Sequence, residues 1–207
     1  MTIKNIVFDL GGVLLNLDFE KSFAAFEALG VTDFQSLFRQ THSNPLFAKL
    51  ETGHIAPPDF YAAFRHETGI AASDEEIASA WNSMLLDFRE ESVAYLASLK
   101  GRYRLFLLSN TNQIHLEAFR QTYHRQFGVA NFDDHFEKAW YSHEMGLRKP
   151  GVEIYEELAR LHSLLPQETL FIDDTLPNLE GAKLANWQTC LLGKTERIEL
   201  VLPVLGV

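Results

Sequence analysis

Two apolar runs from opposite ends of the sequence are each followed directly by acidic residues, and this feature constrains the fold most. Ile6–Phe8 precedes Asp9, and Leu170–Ile172 precedes Asp173 and Asp174. Runs in which apolar residues do not alternate with polar ones are typical of strands buried on both faces of a parallel sheet. Such sheets bind ligands beyond the carboxyl ends of their strands. The sequence therefore predicts one crevice in which three carboxylates meet.

Strand and helix patterns alternate from about residue 90 onward. The predicted strands are 103–108, 139–142, 169–172 and 189–192, with helical patterns between them. Alternation of this kind indicates parallel strands joined by crossover helices. We therefore predict an α/β fold with a doubly wound parallel sheet, built from residues 1–16 and 89–207.

Between the first strand and this region, the sequence contains only the residues that typically begin and end helices. Four helices are predicted, and their boundary signals are Gly30 after the first, Asn44 and Pro45 before the second with Gly53 after it, Pro57 and Gly69 around the third, and the capping box of Ser73 and Glu76 at the fourth. We predict that residues 17–88 form a small helical domain, inserted as a cap over the strand ends.

Charge and composition exclude several partners. The formal net charge is −10 and the pI is about 5.2, which argues against binding to nucleic acid. No apolar stretch approaches the roughly 20 residues of a membrane helix. The single Cys190 lies in an apolar run and is expected to be a buried thiol. We expect a cytoplasmic protein that is a monomer or a weak homodimer.

The acidic residues suit phosphoryl chemistry with a cation. Gly11 and Gly12 follow Asp9 and allow a ligand to approach the backbone closely, and a carboxylate can accept a phosphoryl group. Asp173 and Asp174 repel each other unless a cation lies between them, and Mg²⁺ prefers such ligands. The alternatives are that Asp9 stabilises a turn and that Asp174 caps the following helix.

Two further segments could bind an anion. Ser109 and Asn110 follow the strand 103–108 and precede a helix, where free amides and a hydroxyl can hold phosphate. Lys149 precedes a helix that Pro150 can start, and its charge could offset phosphate and carboxylates together. Ordinary helix starts and a solvated lysine are the alternatives.

Taken together, these four segments resemble in their order the four motifs of the haloacid dehalogenase-like superfamily. The resemblance implies that Asp9 is the nucleophile, Ser109 the phosphate-binding hydroxyl, Lys149 the motif lysine and Asp173–Asp174 the metal-binding acid pair. The helical insert is similar to the family's small type-1 cap. Residues 8–13 and 109–112 are most similar to the subgroup of sugar-phosphate phosphatases that includes α-glucose-1-phosphatase.

The resemblance implies a Mg²⁺-dependent phosphatase that acts on a small phosphorylated metabolite, such as a sugar phosphate, through an aspartyl-phosphate. Asp9, the Gly11 carbonyl and Asp173 would hold the metal, and Asp174 would hold a metal-bound water. Ser109 and an amide near Asn110 would bind phosphate oxygens, with Lys149 bridging Asp9 and phosphate. Asn178 would steady the loop after the acid pair.

Gly11 departs from the family pattern, because most of its phosphatases have there a second aspartate that serves as general acid and base. Such help is worth roughly 10²–10⁴ in rate. Asp18, Glu51 or His54 could supply the proton instead, and Phe47, Leu50, Glu51 and His54 are candidates for substrate contact. Two alternatives stay open: a 2-haloacid dehalogenase, whose halide leaves without a proton, and a phosphate-binding regulatory module with weakened catalysis.

Overall fold

A computed structural model describes residues 2–39, 42–43, 45–128 and 131–207. The predicted helix cap Asn44 lies outside them. The strands are β1 Asn5–Phe8, β2 Leu15–Leu17, β3 Phe38–Arg39, β4 His42–Ser43, β5 Leu85–Phe88, β6 Arg104–Ser109, β7 Lys138–Tyr141, β8 Thr169–Asp173 and β9 Gln188–Leu191. The helices are α1 Phe19–Ala28, α2 Phe34–Leu37, α3 Pro45–Glu51, α4 Pro57–Thr68, α5 Asp74–Asn82, α6 Glu90–Leu99, α7 Gln113–Phe127, α8 Ser142–Met145, α9 Val152–His162, α10 Leu176–Leu184 and α11 Ile198–Val201.

Five strands form a parallel sheet in the order β7-β6-β1-β8-β9. Phe8 pairs with Leu107 on one side and with Ile172 on the other, so the three central strands end at the same edge. Side chains of β1 alternate between two apolar clusters: Phe8 packs with α6 and α7 on one face, and Val7 packs with α9 and α10 on the other. The predicted α/β fold with a doubly wound parallel sheet is confirmed, because each central strand is buried on both faces.

Helices α1 to α5 form the insert, which has an apolar core of its own. Phe26, Phe47, Phe64 and Trp81 are at most 1% exposed, and their rings contact one another. Leu50 is buried in the same cluster. Phe47 and Leu50 therefore stabilise the cap, and the hypothesis that they contact substrate is wrong because their side chains are enclosed.

The insert is not wholly helical as predicted, because two short antiparallel strand pairs accompany the helices. Strands β3 and β4 form one pair. Strands β2 and β5 form the other pair, in which Leu15 lies opposite Phe88 and Leu17 opposite Leu85. This pair lies where the chain leaves the α/β core and where it returns. A three-residue strand is too short to show a period in the sequence. The predicted boundaries at residues 16/17 and 88/89 lie in this pair and stay predictions.

Two smaller expectations are also corrected. Ser142, predicted to end a strand, begins α8 instead. Cys190 is half-buried rather than fully buried, because β9 is an edge strand. Within the described ranges, none of the helices combines the length and hydrophobicity needed to cross a bilayer.

Candidate active site

Three carboxylates meet at the carboxyl edge of the sheet, as the sequence predicts. Asp9 follows β1, Asp173 ends β8 and Asp174 follows it, and one oxygen from each lies within 4.8 Å of the other two. Asp9 is 8% exposed and Asp173 is fully buried, whereas Asp174 is exposed. The shared register of β1 and β8 brings them together, with the Asp9 amide donating to the Ile172 carbonyl at 2.9 Å.

Lys149 is buried among these acids. Its ammonium Nζ donates to Asp9 Oδ1 at 2.8 Å and to Asp173 Oδ2 at 2.7 Å, and it lies 5.2 Å from the centre of the Phe171 ring. The alternative of a solvated lysine is therefore excluded, since only 1% of the residue is exposed. One ammonium faces three carboxylates, so the cluster keeps an excess of negative charge.

The charges of this cluster act strongly on one another. Burial raises the pKa of Asp9 from 3.8 to about 7, and although Lys149 opposes this effect, Asp173 and Asp174 add to it. Burial alone would lower the pKa of Lys149, but the carboxylates of Asp173 and Asp9 outweigh it and raise that pKa. The ammonium therefore stays charged, and the carboxylates favour a second cation. A set of hard carboxylate oxygens fits Mg²⁺.

Because a proton and Mg²⁺ compete for Asp9, we expect Mg²⁺ affinity to depend on pH. The apparent Kd for Mg²⁺ should rise by up to about tenfold per pH unit below the Asp9 pKa of about 7. Without metal, the raised pKa makes the folded state bind its proton more tightly than the unfolded state. Asp9 therefore lowers stability as pH rises from about 4 to 7. Calorimetric Mg²⁺ titrations between pH 5 and pH 8 measure the first effect.

Asp9→Asn is the control for this pH dependence. The variant has no proton to exchange at position 9, so its Mg²⁺ affinity, although weaker, should change much less between pH 5 and 8. An equally steep pH dependence in the variant would mean that another group titrates.

Asp173 and Asp174 differ in what already binds their oxygens. Asp173 Oδ1 accepts from the Thr175 amide at 2.8 Å, and both its oxygens accept from Asn178 Nδ2, at 3.2 and 3.0 Å. With Lys149, donors therefore surround the Asp173 carboxylate. Asp174 Oδ1 accepts from the Thr175 hydroxyl at 3.1 Å. Asp173 is fixed in place, whereas Asp174 is the more accessible of the pair.

Gly12 makes room for the Asp174 carboxylate. Its backbone has φ of +69°, in the left-handed region, and a Cβ at this position would lie 1.9 Å from Asp174 Oδ2. Both features require glycine. The loop after β1 therefore lets the two acidic segments approach each other.

Asn110 holds the loop that carries Lys149. Its Oδ1 accepts from the Lys149 amide at 2.9 Å, and its Nδ2 donates to the Lys149 carbonyl at 2.9 Å. Both polar atoms of the side chain are thus hydrogen-bonded to the Lys149 main chain. The predicted contact of Asn110 with phosphate would therefore be made by its backbone amide. Ser109, at the end of β6, is 3% exposed beside this loop.

Ser142 holds the same region from the other side. Its hydroxyl accepts from the Thr111 amide and donates to the Thr111 carbonyl, both at 2.9 Å. No sequence pattern indicates this contact, because Ser142 is distant in the chain and serine is common at helix starts. The segment 109–112 is consequently fixed at two points.

Helix α10 supports the Lys149 loop by close packing. A Cβ on Gly181 would lie 2.1 Å from the Pro150 carbonyl oxygen, and the Tyr155 hydroxyl donates to the Asn178 carbonyl at 2.7 Å. The Lys149–Pro150 peptide is cis. Sequence reasoning missed Gly181, although a glycine inside a helix is a signal of close approach.

The three candidate proton donors lie in different surroundings. Asp18 caps α1 by accepting from the Glu20 amide at 3.2 Å. His54 is exposed, and its Nδ1 lies 2.7 Å from the Thr52 hydroxyl. Glu51, at the end of α3 in the insert, contacts the α/β domain: its Oε2 lies 3.1 Å from Arg148 Nη2. Burial raises the pKa of Glu51, and Arg148 opposes this shift. Only Glu51 is thus tied to the segment that carries Lys149.

Comparisons with known proteins agree with this arrangement. The model of the haloacid dehalogenase-like hydrolase family matches residues 3–186. D-ribitol-5-phosphate phosphatase from Bacteroides thetaiotaomicron is 30% identical over 187 residues, 90% of each chain. The structure of the HAD family enzyme BT-2542 from that organism, an aspartate-to-alanine variant with magnesium and inorganic phosphate, superposes with a TM-score of 0.91 at 32% identity and covers 97% of this chain and 98% of its own.

A HAD-like hydrolase from Porphyromonas gingivalis has a TM-score of 0.90 at 32% identity, and the match covers 99% of this chain and 98% of that structure. The likeness thus extends over the core and the insert together. The resemblance inferred from the sequence is confirmed: the chain belongs to the haloacid dehalogenase-like hydrolase family.

Proposed function

We propose that this chain is a Mg²⁺-dependent phosphatase of a small phosphorylated metabolite, such as a sugar or sugar-alcohol phosphate. The observation that carries the proposal is the buried cluster in which Lys149 joins Asp9 to Asp173 beside Asp174. Phosphatase activity and magnesium, both predicted from the sequence, agree with the relative that acts on D-ribitol 5-phosphate and with the related structure that contains magnesium and phosphate.

In this mechanism, Asp9 is the nucleophile. Lys149 holds Asp9 Oδ1, which leaves Oδ2 to attack phosphorus. A bond forms between Asp9 and phosphorus, the ester bond breaks, and the leaving alkoxide takes a proton from water to become the alcohol. Water then hydrolyses the aspartyl-phosphate and releases phosphate and the free carboxylate.

Magnesium, when bound, neutralises phosphate oxygens and the surplus carboxylate charge. The sequence-based expectation is that Asp9, the Gly11 carbonyl and Asp173 would hold it, with Asp174 on a metal-bound water. The contacts favour an exchange of roles within the pair. Asp173 already accepts from Lys149, Thr175 and Asn178, so we assign it to positioning Lys149. Asp174, which is more accessible, is then the direct ligand.

Ser109 and backbone amides of the following loop would hold the phosphate oxygens. The two contacts of Asn110 with the Lys149 backbone fix the distance between this loop and the ammonium. Asn110 therefore acts mainly as a positioning residue. Preorganised donors of this kind stabilise developing charge without the cost of reorganisation.

Leu17 occupies the place of a side chain at position 11. A Cβ on Gly11 would lie 2.6 Å from Leu17 Cδ1, and the φ of Gly11 is not in the left-handed region. An acid at position 11 thus needs Leu17 to move but causes no backbone strain. The glycine at position 11 therefore leaves space that the Leu17 side chain fills.

The double variant Gly11→Asp with Leu17→Ala is expected to gain at least about tenfold in kcat/KM on alkyl phosphates, whose poor leaving groups need a proton most. Gly11→Asp alone should gain less, because its carboxylate competes with Leu17 for space. Leu17→Ala alone is the matched control. Initial rates on alkyl and aryl phosphates measure the effect, and an equal gain on both would exclude general acid catalysis by the new residue.

The activity itself is tested by phosphate release from a panel of sugar, sugar-alcohol and aryl phosphates, with Mg²⁺ and with EDTA. We expect release that requires Mg²⁺ and is fastest on one class of substrate. A parallel halide-release assay on 2-haloacids addresses the dehalogenase alternative. Halide release without phosphate release would overturn the proposal, and inactivity in both assays with retained phosphate binding would favour a regulatory module.

Cellular location and assembly stay predictions. The cytoplasmic location expected from the sequence is tested by fractionation. Its expected state, a monomer or a weak homodimer, is tested by sedimentation across a range of concentrations.

A further inference from the structure

A cleft with its own set of lining residues lies beside strands β2 and β5. It has a volume of about 600 Å³ and lies between β5, the start of α6, α7 and the segment before α11. Three guanidinium groups line it, those of Arg89, Arg125 and Arg197, and none of the lining residues belongs to the Asp9 site. The mechanism proposed above makes no use of this cleft.

In the described part of the chain, the three arginines form no ion pair with a carboxylate. Among the described side chains, none of them lies within 4.0 Å of an acidic oxygen, and Arg102 is the only other arginine for which this holds. The remaining arginines with described side chains form ion pairs; they are Arg65, Arg104, Arg120, Arg148 and Arg160. In a chain with a net charge of −10, unpaired guanidinium groups are thus concentrated in one place.

Arg89 is the most constrained of the three. It is 8% exposed, and its Nε donates to Asn16 Oδ1 at 2.8 Å. Its Nη1 donates to the carbonyls of Val13 and Glu196 at 3.3 and 3.4 Å. All these hydrogen-bond acceptors are neutral, and among the described side chains no carboxylate lies within ion-pair distance of the guanidinium. Burial and then repulsion from Arg197 lower the pKa of Arg89, and the charges of Asp174 and Glu199, which lie beyond ion-pair distance, oppose this shift.

The carboxylates that also line the cleft do not supply the missing charge. Asp87, Glu90 and Glu91 are exposed to solvent and keep their hydration. Helix α6 begins at this point, with Arg89 as its N-cap and no side-chain hydrogen bond to the first amides. The amides of the helix start add partial positive charge, which the exposed Glu90 and Glu91 in the first turn offset in part.

The geometry points to a binding site for the phosphate group of a small molecule in this cleft. A phosphate offers several oxygens to guanidinium forks, and arginine is the preferred residue for such recognition. The volume exceeds that of a free phosphate ion and leaves room for an attached organic group. Since Asn16 belongs to β2 and Asp87 to β5, the bound molecule would contact both strands that connect the cap to the core.

The test is calorimetric titration of the full chain with inorganic pyrophosphate in EDTA. Without metal, the three carboxylates of the Asp9 site repel the anion, so the arginine cleft is the site expected to bind it. We expect one saturable site in the unmodified protein. Arg125→Ala with Arg197→Ala should weaken binding by at least about tenfold, because charge-assisted hydrogen bonds are lost.

The matched control removes the same charge elsewhere. Arg102→Ala with Arg160→Ala should stay within about twofold of the unmodified protein, because these side chains lie outside the cleft. Equal weakening in both double variants, or no saturable binding in the unmodified protein, would overturn the inference. Binding lost in Ser109→Ala and retained in Arg125→Ala with Arg197→Ala would place the anion at the Asp9 site and also overturn it.

Titrations with inorganic phosphate and with a sugar phosphate identify the source of the phosphate group. Tighter binding of the sugar phosphate supports a site for an esterified phosphate, and tighter binding of the ion supports a site for free phosphate. Because all these titrations measure binding without metal, their outcome does not depend on phosphatase activity.

Discussion

Replacing Asp9 by asparagine is expected to lower the rate of Mg²⁺-dependent phosphate release by at least about 10⁴-fold, since the amide cannot form the phosphoenzyme bond. The effect should fall on kcat. Rapid-quench measurements with a labelled phosphate ester would detect the covalent phosphoenzyme in the unmodified protein and its absence in the variant.

The same substitution should stabilise the metal-free protein. Asp9 is buried beside two other carboxylates, which raise its pKa together with burial, so an uncharged asparagine removes repulsion at neutral pH. Urea unfolding in EDTA at pH 8 measures this effect. A variant that kept most of the activity, or that lost activity only because it was unfolded, would contradict the assignment of Asp9 as the nucleophile.

Replacing Lys149 by methionine should abolish activity and also destabilise the fold. The variant loses the ammonium that joins Asp9 to Asp173 at 2.8 and 2.7 Å, which leaves buried carboxylates without compensation. Removal of one member of a buried ion pair costs about 3–5 kcal/mol. We expect a loss of this order in the free energy of unfolding at pH 8 in EDTA, and a smaller loss at pH 5, where carboxylates can bind protons.

Lys4→Met is the control, because Lys4 forms an exposed ion pair with Glu168. Such pairs contribute about 0–1 kcal/mol, so the control should unfold nearly like the unmodified protein. Saturating Mg²⁺ should restore part of the stability of Lys149→Met but none of its activity. If Lys149→Met were as stable as the control, Lys149 would not be the compensating charge of the cluster.

Much of the core could be predicted from the sequence, because its strands are apolar on both faces. The runs around Val7, Phe106 and Phe171 indicated buried parallel strands, and a shared edge for their ends followed from that geometry. The short strands β2 and β5 could not be foreseen. Each owes its structure to its partner, and three or four residues do not carry a period of their own.

The candidate site divides in the same way. Asp9 and Asp173 come together because both were predicted at strand ends, and Lys149, predicted before a helix, lies within hydrogen-bonding distance of both. The uses of Asn110 and Ser142 could not be predicted, because each bonds to the main chain of a distant segment. The place of Asn110 between a strand and a helix suggested that backbone amides there bind phosphate, whereas its side chain holds the main chain of Lys149.

The pairing of β2 with β5 has a consequence for engineering. Leu15 lies opposite Phe88 and Leu17 opposite Leu85, so the two points where the insert leaves and rejoins the core are neighbours in an antiparallel pair, about 5 Å apart. A two-residue hairpin turn can span that gap. The chain is therefore suited to module exchange: caps from other hydrolases could be grafted at this ribbon, and a capless core closed by a turn would show what the sheet edge does alone.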